Sequence, residues 1–265
     1  MLYNYLAIIS YIGFNYDGWQ KQKGNSNTIQ EIVTSSLEKL LGVSIKKSSY
    51  TGRTDKGVSA LFQHLNFFIE KKLDDRLLSE LRHEVNKILP HDILVLHITR
   101  VDNTFSSRYN VKYKTYVYKM IFCNNQFLVN DVYGLHNYHS MKLIPKSEII
   151  PKVEEFISLF CGLKDYSSYY KPEKGVNKNT MIDLYSHYYV YDFPDFWVLT
   201  LEFKAVYFLR NMVRKIVGML IAFLEGKVGI DYIRDSLDNP LPSKGKFIAS
   251  PEPLVLYNVK YDRWP

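Results

Sequence analysis

The sequence predicts an α+β protein of two halves, each with the element order β-α-β-β-α-β and mostly antiparallel strands. Two observations carry this. The spacing of apolar residues switches between strand-like alternation and helical periodicity, with turn and cap residues at the switches. The order found in the first hundred residues also recurs, more loosely, in the remainder.

Residues 4–12 are β-rich. Thr28, Ile29, Gln30 and Glu31 form a capping-box pattern, and Ile29, Ile32, Val33, Leu37, Leu40 and Leu41 follow at helical spacing until Gly42 stops the helix. A short strand near 43–50 leads into the loop "YTGRTDKGVSA", and 61–69 is the next strand. Leu77, Leu78, Leu81, Val85, Ile88 and Leu89 make a second amphipathic helix with Pro90 just beyond it, and "DILVLHITRV" closes the half as a strand. This is the ferredoxin-like, split βαβ order also used by RRM domains. In the second half, 113–122 is a strand and 152–163 a helix. "MIDLYSHYYVY" and "FWVLTLEF" flank a turn at Asp192, Pro194 and Asp195 as a hairpin. A long helix over 207–225 ends at Gly226, a short helix covers 230–238, and "LVLYNVKY" is the last strand. The predicted domains are 1–102 and 103–265, and two such halves leave a cleft between them. The polar stretch 169–180 reads as a mobile loop.

The chain has 265 residues, 46% of them apolar, so it is globular. No window approaches a membrane helix, and the start, "MLYNYLAIIS", reads as a strand and not a signal peptide. The two cysteines, Cys123 and Cys161, are far apart, which suits a reducing cytoplasm and argues against a disulfide scaffold or structural zinc. "HNYH" (136–139) offers two histidines with no third ligand, so no metal site is expected. A net charge of +7 makes an anionic partner plausible, nucleic acid first, and 22 tyrosines fit either base stacking or ordinary strands.

Within 50–60, Gly52 and Gly57 bracket Arg53, Thr54 and Asp55. Alone, the pair Arg53 and Asp55 fits a surface ion pair worth less than about 1 kcal/mol. Two glycines this close also permit a backbone that holds one carboxylate out at an unusual angle.

At these residues the sequence resembles a known family. "GRTDKGVSA" is similar to the G-R-T-D-x-G-V-H-A segment of the TruA-type tRNA pseudouridine synthases. "GWQKQ", "TIQEIV", "LNFFI", "VNKILPHDILV", "FSSRYNVKYKTYVY", "CGLKDYSSY" and "FLRNMVRKIVGML" resemble further family segments, in the family's order along nearly the whole chain. The resemblance implies the pseudouridine synthase fold, a central RNA-binding cleft and a cytoplasmic enzyme without metal or organic cofactor. It implies isomerisation of uridine in the tRNA anticodon arm, usually at positions 38 to 40, by a homodimer. Asp55 is then the catalytic carboxylate, Arg214 its cationic partner, and Tyr116 the active-site tyrosine. Arg53 is implied to contact RNA or help extrude the base, Arg108 to brace the cleft or touch substrate, and Arg210, one helical turn before Arg214, to add a basic edge. Lys21, Lys23, Lys112, Lys114 and Lys215 are further candidates for phosphate contacts. The chain departs from the family pattern at Ile12, Ser59, Ser106, Lys114 and Pro253. The alternative reading, a non-catalytic RNA-binding protein of two RRM-like halves, would carry the aromatic pair of such domains on its central strands. No such pair is found, nor a phosphate-binding glycine signature.

Overall fold

The computed structural model describes residues 1–124, 139–172, 175 and 177–262. The chain divides into two compact units, Met1–Lys114 with Val255–Pro265, and Thr115–Leu254. Both are α+β with mostly antiparallel sheets.

The first unit begins with β1 (Tyr3–Tyr11), whose side chains are buried on both faces. It continues through α1 (Ile29–Leu41), β2 (Lys47–Tyr50), β3 (Ser59–Ile69), α2 (Asp75–Ile88) and β4 (Ile93–Val101). β1 lies between β3 and β4, antiparallel to both, with Ile8 opposite His64 on one side and His97 on the other. The far edge of β3 is shared. β2 pairs there antiparallel, Tyr50 opposite Leu65, and the final strand, β10 (Leu254–Tyr261), pairs parallel at Val255 and Leu256 with Ser59 and Ala60.

Ile29, Val33, Leu37 and Leu41 recur every fourth residue on α1 and are all buried. Each such side chain contributes about 1.5–3 kcal/mol relative to exposure. Leu78, Leu81 and Val85 do the same for α2, whose Asp74 side chain caps it by accepting from the Leu77 N–H at 2.9 Å. The capping box predicted at Thr28 does not form. Helix α1 does start there, but the Thr28 side chain makes no cap hydrogen bond and Glu31 pairs instead with Lys21 at 2.5 Å. The first-turn N–H groups of Ile29 and Gln30 are taken by the carbonyls of Gly18 and Trp19. A backbone strap therefore does the work assigned to a side chain.

The second unit contains most of β5 (Val111–Cys123), then β6 (His139–Lys142), α3 (Lys146–Leu159), β7 (Gly162–Asp165), a 3-10 turn at Ser167–Tyr169, β8 (Met181–Asp192), β9 (Phe196–Ala205), α4 (Met212–Leu224) and α5 (Ile230–Asp238). The strand order is β5-β9-β8-β7, with β6 parallel to β5. β8 and β9 are the expected hairpin, closed by the Phe193 N–H donating to the Phe196 carbonyl at 3.0 Å. Helix α3 begins six residues before its predicted start and runs through Pro151. The proline removes one ladder bond without stopping the helix, because Ile149, Val153, Phe156 and Ile157 are buried along it. The polar stretch 169–180 does not begin as a loop: Tyr169 and Tyr170 are core residues, and Tyr169 packs edge-on against Phe160 at 5.1 Å. Among the described residues no helix is long and apolar enough to cross a membrane.

Candidate active site

The Asp55 loop joins β2 to β3 in the first unit and is tied down at both ends. At its start the Thr51 N–H donates to the His64 carbonyl at 3.1 Å and Gln63 Nε2 to the Gly52 carbonyl at 2.8 Å. In its middle the buried Thr54 and Tyr11 hydroxyls share a hydrogen bond of 2.7 Å, and the Thr54 carbonyl accepts from the Trp19 N–H at 3.2 Å. At its end the Val58 N–H reaches back to the Asp55 carbonyl at 3.2 Å, with Gly57 at φ 83°. Burial pushes the Tyr11 phenol well above its usual range, so Tyr11 stays a neutral anchor.

Two glycines let a second segment press against this loop. A Cβ on Gly13 would stand 2.1 Å from the Val58 carbonyl oxygen, and one on Gly18, at φ +90°, would stand 2.8 Å from that of Thr54. Ser59, in place of the family's histidine, accepts from the Gly13 N–H at 3.0 Å and so closes the same contact. Asp17 pairs with Lys56 at 2.8 Å. Asp55 is half-buried and Arg53 exposed.

Arg108 lies on the exposed turn 102–110, its guanidinium 5.4 Å from the centre of the Tyr109 ring. Burial raises the Tyr50 phenol pKa, while Arg53 and Arg108 pull it back down, so the two arginines act on one spot. Tyr261, from β10, bridges the loop and this turn: its hydroxyl bonds Thr51 Oγ1 at 3.1 Å and donates to the Ser107 carbonyl at 3.3 Å.

The second unit carries Tyr116 and Arg214. Tyr116 is buried on β5 with Phe208 edge-on against it, 4.9 Å between ring centres. Tyr118 shares its strand face by alternation; its hydroxyl is buried, its pKa raised by burial and moderated by the charge of Arg214. Arg214 sits in the first turn of α4. Its Nε donates to the Ala249 carbonyl at 2.9 Å, and the Ala249 N–H donates back to the Arg214 carbonyl at 2.9 Å. Gly218 makes this clasp possible, since a Cβ there would lie 2.7 Å from the backbone of Phe247 and Ile248.

Arg210 departs from expectation. Helix α4 starts at Met212, not 207, and Asn211 before it is left-handed at φ 62°. Arg210 therefore lies in the preceding loop, and the helical spacing that would put it on one face with Arg214 does not apply. Of the lysine candidates, Lys21 is paired with Glu31 and Lys114 donates to the Thr51 carbonyl. Lys215 Nζ reaches the Tyr170 carbonyl at 3.2 Å, and Lys112 pairs with Asp262 at 3.2 Å. Sequence reasoning gave no role to Tyr11, Thr54 or Tyr261, which hold the loop; only Thr54 lies inside a family segment quoted above. Among the described residues no group of three His, Cys, Asp or Glu could hold a metal, and His136 lies outside the described residues.

Residues 156–262 match the family model described as tRNA pseudouridine synthase. Together with the relatives at 30% identity or more over nearly the whole chain, this match places the chain in the pseudouridine synthase class of isomerases. The chain is 31% identical over 258 residues to tRNA pseudouridine synthase A of Thermoanaerobacter sp. (strain X514), covering 97% of this chain and 99% of that one. It is 30% identical over 260 residues to tRNA pseudouridine synthase A 2 of Bacillus thuringiensis subsp. konkukian (strain 97-27), with coverage of 97% and 99%. Against tRNA pseudouridine synthase A of Hydrogenobaculum sp. (strain Y04AAS1) it is 32% identical over 245 residues, covering 88% and 90%. The chain belongs to the tRNA pseudouridine synthase A family.

Proposed function

We propose that this protein converts uridine to pseudouridine in the anticodon stem-loop of tRNA, at positions 38, 39 and/or 40, with Asp55 as the catalytic carboxylate. The bond from N1 to C1′ breaks, the base turns, C5 bonds to C1′, the C5 proton leaves and N1 takes up a proton. The observation that carries the reading is the Asp55 loop, fixed by Thr54, Gly13 and Gly18 so that a half-buried carboxylate is held at one place. Fixed position is what such a step needs, since a reacting group displaced by about 1 Å can cost about a hundredfold in rate.

In this reading Tyr116 stacks on the displaced uracil and Arg214, clasped to Ala249, is the cationic partner of Asp55. Arg53, Arg108 and Arg210 contact the RNA. The two units are RRM-like halves, the enzyme works as a cytoplasmic homodimer on tRNA, and it needs no cofactor.

Tritium release from tRNA carrying [5-³H]uridine tests the reading. Wild type should release tritium, and Asp55→Asn should release it at least about a thousandfold more slowly while still binding tRNA. Unchanged release by Asp55→Asn would remove Asp55 from its role. Binding without release by wild type would favour an RNA-binding protein without catalysis.

A further inference from the structure

Three cations of the first unit share one neighbourhood without a counter-ion. Lys114 is 8% exposed, and its Nζ donates to the Thr51 carbonyl at 2.9 Å, at the entry to the Asp55 loop. Arg108 acts electrostatically on Lys114, and Arg53 and Arg108 both act on Tyr50. Among the described residues none of the three arginine and lysine side chains has a carboxylate partner.

A buried ammonium with one carbonyl acceptor and a guanidinium beside it is poorly compensated. Desolvation and Arg108 lower the Lys114 pKa to about 8. The Thr51 bond satisfies one of its three protons, and Arg108 repels it. An anion arriving here would meet one buried and two exposed cations of matching sign.

We propose that Arg53, Arg108 and Lys114 form a phosphodiester site that holds one backbone phosphate of an RNA beside the Asp55 loop, with Lys114 as its floor. That the phosphate belongs to tRNA rests on the function proposed above. Arg108 and Arg53 supply the rim, and Lys114 reports occupancy back to the loop through Thr51, four residues before Asp55. The phosphate then fixes where the backbone passes relative to the carboxylate, without reading any base.

Binding of an unmodified tRNA transcript is measured over a range of potassium chloride concentrations for wild type, Lys114→Met and Lys114→Arg, each checked for folding by circular dichroism. Lys114→Met should weaken binding about tenfold and lower the slope of log Kd against log salt by about one, while Lys114→Arg keeps both. A lysine with only a structural role would not change that slope, so a folded Lys114→Met with the wild-type slope overturns the site. If Lys114→Met fails to fold, the Lys114 ammonium signal of wild type, followed by ¹⁵N NMR, decides. A shift on adding the transcript supports the site, and no shift overturns it. Inorganic phosphate moving that signal where the transcript does not would overturn the assignment to RNA. Tritium release is scored separately. Release with an unchanged slope removes the phosphate site and leaves the isomerase, whereas a changed slope without release removes the isomerase and leaves the site.

Discussion

Thr54 and Tyr11 meet inside the first unit and share one buried hydrogen bond. Thr54→Val keeps the shape but strands a buried phenol, which should cost about 1–3 kcal/mol in urea unfolding. Thr54→Ser, which restores the hydroxyl, should recover most of that loss. Gly13→Ala should be harsher on the loop than on the rest of the unit, because its Cβ would stand 2.1 Å from the Val58 oxygen. Backbone shifts of this kind cost about 1–3 kcal/mol, and the expected readout is a fall in tritium release larger than the fall in stability explains. Ser59 shows why the residue scale was only partly legible. In the sequence it is a departure from a histidine, and its use as acceptor for the Gly13 N–H appears only when residues 46 positions apart are brought together.

Helices were legible as stripes, and their ends were not. The apolar spacing of α1 and α2 was enough to find both, since packing rewards that spacing directly. The start of α4 was misread because Phe208 and Leu209 continue the apolar run, while the backbone breaks at Asn211, one of the few non-glycine types at ease with positive φ. Pro151 hid the first turns of α3 for the opposite reason, a breaker overruled by burial around it. The clasp between α4 and the 245–249 segment gives an expected outcome at this scale. Gly218→Ala should push Phe247 and Ile248 outward and loosen the Arg214 bonds to Ala249. In single-turnover assays the chemical step should slow about tenfold or more while tRNA affinity holds within about twofold.

Across the molecule, the charge of +7 pointed toward an anionic partner, and the matched segments, read together, identified the family that neither charge nor periodicity could name. What no local pattern could reveal was the partner of the last strand, because a parallel pairing with Ser59 and Ala60 leaves no mark in the residues 254–261 themselves. A titration of the folded protein belongs to this scale as well. His64 is buried, and burial lowers its imidazole pKa from the usual 6.5 to about 4. The unfolded chain therefore binds the extra proton between those values and the folded chain does not. Stability is fully present above about pH 6.5 and is lost progressively as pH falls toward 4, by up to about 3 kcal/mol from this group. Urea midpoints compared between pH 7 and pH 4.5 should fall less in His64→Phe than in wild type.

Synthesis runs from the N-terminal side onward, and the first unit draws on segments that lie before and after the second. Residues 50–60 leave the ribosome well before Tyr261, which ties Thr51 to Ser107 from 210 residues further along the chain. The stretch Thr115–Leu254 is complete while its predecessor still lacks a strand. The nascent chain is thus expected to finish its second unit first and to hold the Asp55 loop by anchors such as Tyr11, Gln63 and His64 until Tyr261 emerges, so that a chain halted before that residue lacks the tie from Thr51 to Ser107.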